Sequence, residues 1–66
     1  MTGKEAIKRL QAAGWRLDRI NGSHHIMYKP GYRPVAVPVH GSRDLGNGLL
    51  RSLERATGVK MRSQAH

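Results

Sequence analysis

The stretch Trp15-Arg16-Leu17-Asp18-Arg19-Ile20-Asn21-Gly22-Ser23-His24-His25-Ile26-Met27-Tyr28-Lys29 decides how this chain folds. Across 15–20, Trp15 and Leu17 fall on one side and Arg16 and Asp18 on the other, the two-residue period of a half-buried strand. Asn21-Gly22 readily takes the positive φ angles of a tight turn, so 23–29 is predicted to return antiparallel beside 15–20. Pro30-Gly31 marks a second turn, and a third strand spans 34–40 with Val35, Val37 and Val39 on one face and Ala36, Pro38 and His40 on the other. Pro38 has no N–H to give to a ladder, which places this strand at a sheet edge.

The segments on either side carry the helical period instead. Residues 2–13 open with Thr2 and Glu5, spaced so that each side chain can satisfy the other's backbone N–H. Ala6, Ile7, Leu10 and Ala13 then form an apolar stripe, and Gly14 ends the helix. A second helix over 47–57 has Leu49, Leu50, Leu53 and Ala56 as its stripe and Gly58 as its stop, with Asn47 the expected cap. The tail 59–66 is expected to be frayed. Two amphipathic helices need an apolar surface, so the predicted fold is α+β, with both helices on one face of a three-stranded antiparallel sheet and the other face free to bind.

With 66 residues the chain forms one domain, 1–66, whose small core leaves a thin stability margin and makes a protein partner plausible. There is no cysteine, which excludes disulfides and thiolate metal sites and suits a reducing cytoplasm. No apolar run is long enough for a membrane span or signal peptide, so a soluble, cytoplasmic protein is expected. Twelve Lys and Arg against four Asp and Glu give a net charge of +8. That field attracts polyanions, nucleic acid first and an anionic membrane surface second, although a basic surface can also serve solubility alone.

Few residues could carry chemistry. Glu5, Asp18, Asp44 and Glu54 are scattered, which argues against paired-carboxylate catalysis. Ser23 and His24 are adjacent on a strand, so they point to opposite faces and are badly placed to share a proton. The same alternation separates His24 from His25, and with His40 and the terminal His66 they make no convincing metal site; no metal or other cofactor is expected. Histidine proton transfer among cations remains, and it suits RNA, which carries its own 2′-hydroxyl nucleophile. An imidazole titrates near working pH, at about 6.5. From the residues alone, a strand histidine is as readily a structural group or a binding contact. Lys29, Arg33 and Arg43 are candidate phosphate contacts near the loops around the later strands, or else ordinary solvated charges.

Ala13-Gly14-Trp15-Arg16-Leu17, Asn21-Gly22-Ser23-His24-His25, Val37-Pro38-Val39-His40 and Asp44-Leu45, in this order, resemble the HicA (YcfA-like) family of toxin-antitoxin toxins over nearly the whole chain. The resemblance implies a fold like a double-stranded-RNA-binding domain and a metal-independent endoribonuclease that cleaves mRNA. It also implies a HicB-type antitoxin that covers the active site. The histidine after Gly-Ser is the family's catalytic residue, a role that falls to His24 here. Ser23, His25 and His40 are then expected to touch RNA. The alternative is a non-catalytic basic RNA-binding module of the same fold. Gly46-Asn47-Gly48-Leu49 departs from the proline and threonine that relatives often carry before the second helix.

Overall fold

The computed structural model describes residues 1–61. The order is helix α1 (Gly3–Ala12), strands β1 (Arg16–Asn21), β2 (His24–Tyr28) and β3 (Val35–Pro38), and helix α2 (Asn47–Thr57). The α+β fold follows the sequence reading, α-β-β-β-α with a three-stranded antiparallel sheet in the order β1-β2-β3, and is compatible with a double-stranded-RNA-binding-domain-like architecture. β3 is an edge strand, as Pro38 requires.

α1 begins where the Thr2/Glu5 spacing predicts. Glu5 N–H donates to Thr2 Oγ1 at 3.2 Å, and Thr2 N–H donates to Glu5 Oε1 at 2.7 Å. The second bond lowers the Glu5 pKa, because accepting the Thr2 N–H favours the charged carboxylate. A lowered folded-state pKa adds stability above the unfolded value, and that stability is lost as pH falls through the folded value. Unfolding by urea at successive pH values below about 4.3, the ordinary Glu value, should therefore show a steeper acid loss in the wild type than in Glu5→Gln.

Both helices pack against the sheet through one core: Ala6 and Leu10 from α1, Leu50 and Leu53 from α2, Met27 and Val37 from the sheet, with Trp15 and Met61. Met27 and Val37 lie on the helix side by strand alternation. Gly3 is buried where α1 meets the end of β3. A Cβ there would overlap the Pro38 carbonyl oxygen and lie 2.9 Å from Val39 Cγ2. Crowding of this kind costs about 1–3 kcal/mol, so Gly3→Ala should lower the urea midpoint by that equivalent, although alanine is the better helix former.

Several expectations are corrected. The hairpin turn is Gly22-Ser23, because Asn21 already pairs with His24. Only Gly22 has positive φ, at 61°, as in the turn type that needs a glycine at its first central position. β1 therefore runs one residue later than expected. β3 ends at Pro38, although Val39 N–H still donates to the Ser23 carbonyl at 2.8 Å. The cap of α2 is Gly46, without a side-chain bond, and Asn47 is the first helical residue. Thr57 replaces Ala56 on the buried stripe, and its hydroxyl donates to the Leu53 carbonyl at 2.7 Å.

The expected fraying does not begin at residue 59. Met61 N–H donates to Glu54 Oε2 at 2.8 Å, Arg9 donates to the Lys60 carbonyl at 3.2 Å, and the Met61 side chain is fully buried. The rest of the predicted tail, 62–66, lies outside the described residues.

Candidate nucleic-acid interface

The sheet has one face under the helices and one open face, and strand pairing assigns each side chain to one of them. Paired residues in an antiparallel ladder share a face. His24 pairs with Asn21 on one side and Pro38 on the other, Ile26 with Arg19 and Ala36, and Tyr28 with Arg16. These form the open face. His25 pairs with Ile20 and Val37, and Met27 with Leu17 and Val35, so both turn toward the helices.

The two adjacent histidines are thus separated as alternation predicts. His24 is exposed at the start of β2, next to the hairpin turn. Among the described residues no hydrogen bond engages its ring, so both nitrogens can meet a ligand. His25 is half-buried on the other face, its Nδ1 3.4 Å from the Ser23 carbonyl oxygen. Ser23 lies in the turn, and its carbonyl is taken by Val39 N–H. Among the described residues no group of three or more His, Cys, Asp or Glu side chains is placed to hold a metal ion. His66 lies outside them.

Two arginines on this face escaped the sequence reading. Strict alternation puts Arg19 on the side of Leu17, away from Arg16. Instead the register shifts between Leu17 and Arg19, leaving Asp18 as an extra residue. Beyond it the faces exchange, so Arg19 joins Arg16, Asn21 and His24 on the open face. Ile20 joins Leu17 on the other. No local signal announces this bulge, because Leu-Asp-Arg-Ile is compatible with either register. Among the described residues Arg19 is held only by Asp18, at 3.0 Å, with side-chain exposures of 66% and 52%. An ion pair that exposed contributes little, about 0–1 kcal/mol, and is readily exchanged for a phosphate.

The other expected contacts separate into two groups. His40 and Arg43 are exposed in the loop after β3, at the hairpin end where His24 sits, and Arg43 N–H donates to the His40 carbonyl at 3.0 Å. Lys29 and Arg33 lie past the far end of β2, whose last residue, Tyr28, is four residue steps or about 13 Å from His24 along the strand. Arg33 is exposed. Lys29 is half-buried: its ammonium donates to the Ala13 carbonyl at 2.8 Å, at the C-terminus of α1, and lies 5.2 Å from the Tyr32 ring centroid. A cation at this end of a helix answers the dipole and an open carbonyl. Tyr32 in turn lies 5.3 Å from Trp15, centroid to centroid. Trp15 is therefore core, with its Nε1 buried and unpartnered among the described residues.

Residues 3–59 match the family model described as HicA toxin of bacterial toxin-antitoxin. The chain belongs to the HicA toxin family. Comparison with curated proteins gives no match. The matched span runs from the first residue of α1 to just past Gly58, so it includes every strand and helix of the fold. As a HicA toxin, the chain is one member of a toxin-antitoxin system and has an antitoxin as its implied partner. No helix among the described residues is long and apolar enough to cross a membrane.

Proposed function

We propose that this HicA toxin is a metal-independent endoribonuclease that cleaves mRNA with His24 as its proton-transfer group, and that a HicB-type antitoxin restrains it. The observation that carries the reading is the position of His24, exposed on the open sheet face with an unengaged ring, on the same face as Arg19 and Arg16. The family's Gly-Ser-His signature, here Gly22-Ser23-His24, supports the same residue.

The chemistry needs only what that face offers and what RNA brings. The His24 imidazole takes the proton of a 2′-hydroxyl, and the oxygen attacks the adjacent phosphorus. The bond from phosphorus to the 5′-oxygen breaks as that oxygen takes up a proton, returned from the His24 imidazolium through water, leaving a 2′,3′-cyclic phosphate on one fragment and a 5′-hydroxyl on the other. Arg19, released from Asp18, stabilises the charge that gathers on the phosphoryl oxygens, and Arg16, farther along the same face opposite Tyr28, contacts a neighbouring phosphate of the strand. His40 and Arg43 lie at the same end of the sheet and contact the strand there, whereas Lys29 is engaged with α1 and contributes to the fold. His25 and Ser23 position the hairpin from behind.

Incubating the protein with a structured mRNA, with and without EDTA, tests the reading. Fragments ending in 2′,3′-cyclic phosphate and formed equally in EDTA are expected. Retention of uncut RNA would mean a binding module that works by occupying its target. Loss of cleavage in EDTA would remove the metal-free route.

A further inference from the structure

We propose that the free edge of β1 pairs with β1 of a second copy of this chain, making a two-fold dimer with one continuous six-stranded antiparallel sheet. Among the described residues β1 has a neighbour on one side only, so the strand Arg16–Asn21 presents an unpaired row of backbone groups on the other. Such an edge invites another strand unless it is short, covered or guarded. Among the described residues it is neither short nor covered, and its guards, the bulge at Asp18 and the charges of Asp18 and Arg19, are ones that a second copy can match.

Side chains on that edge supply the second observation. Both helices pack against β3, Met27 of β2 joins the core, and no residue of β1 is buried. Leu17 and Ile20, on the helix side of the sheet, are consequently 43% and 54% exposed, among the few large apolar side chains left open to water. The bulge at Asp18 puts both on that side, although they are three residues apart.

The order of residues along β1 is self-complementary when read against itself. In an antiparallel pair centred between Asp18 and Arg19, Leu17 lies opposite Ile20 of the second copy and Asp18 opposite its Arg19. Arg16 lies opposite its Asn21. Leu17 and Ile20 meet as an apolar pair and Asp18 meets Arg19 as opposite charges, the pairs that stabilise neighbouring strands, while Arg16 meets the neutral amide of Asn21. A two-fold interface requires this self-complementarity, since every contact occurs twice. The Asp18–Arg19 pair within one chain is exposed, so little opposes its exchange between copies. The two-fold axis stands perpendicular to the sheet and leaves both open faces, each with its Arg16, Arg19 and His24, on the same side.

Sedimentation equilibrium of the full chain, from about 10 μM to about 1 mM and at about 0.15 M salt to screen the charge of the two copies, reads the association. The wild type should show a dimer fraction that rises with concentration. Asp18→Arg and Arg19→Asp should each remain monomeric with unchanged circular dichroism, because each sets like charges opposite each other. The double variant Asp18→Arg/Arg19→Asp should dimerise again, and an equimolar mixture of the two single variants should form a heterodimer. Ile20→Lys, which removes the apolar pair, should also be monomeric. A wild type that stays monomeric throughout, even if the same edge takes up an acidic partner, would overturn the proposal. So would a dimer that the single charge swaps leave intact.

Discussion

His24→Ala should reduce RNA cleavage by about 10²–10⁴-fold, the range over which one general acid-base group acts. Thermal and urea unfolding should change by no more than about 0.5 kcal/mol, the usual scale for an exposed site. The contrast follows from placement: His24 occupies the exposed first position of β2, and its backbone, not its ring, holds the hairpin. His25→Ala is the informative control. That ring faces the helix side, beside Ile20 and Val37, so its removal should act on stability before cleavage. Cleavage that survives His24→Ala but disappears in His25→Ala would assign the chemistry to the wrong face of the sheet and refute the proposed site.

Met61→Ala should destabilise the protein by about 2–5 kcal/mol, the range for truncating a buried methionine to alanine. In a domain of this size that approaches the whole stability margin, so a large unfolded fraction is expected at moderate temperature. Met61 lies beyond the end of α2, where a sequence reading expects a fraying tail. Three features hold the segment against α1: the Gly58 turn in the left-handed conformation, the Glu54 carboxylate accepting Met61 N–H, and Arg9 donating to the Lys60 carbonyl. Met61 then joins the core that Leu10 and Leu50 also form. The midpoint of urea unfolding reads the effect, and Lys60→Ala, at an exposed residue whose carbonyl makes the bond to Arg9, should leave it almost unchanged.

Much of this was readable before any coordinates. Both helices, the leucines of their stripes, the Thr2/Glu5 cap, the glycine stops at Gly14 and Gly58, and the edge position forced by Pro38 follow from local rules: 3.6-residue and two-residue periods, capping geometry and missing donors. So does the separation of His24 from His25, since adjacent strand residues diverge wherever the strand lies. The cation excess pointed to a polyanion, and the Gly22-Ser23-His24 signature to the HicA toxin family, to which residues 3–59 belong.

What the sequence determined by itself was therefore the set of elements, their order, their buried stripes and the family. Tertiary structure alone decided which cations share a face with His24, because the bulge at Asp18 is set by strand pairing and not by the residues that form it. It also decided that Lys29 serves the end of α1, that Met61 belongs to the core, and that Leu17 and Ile20 remain exposed on an overhanging edge. Each of these depends on residues distant in the chain meeting in space, and no periodicity within a short window encodes where a helix comes to rest on a sheet.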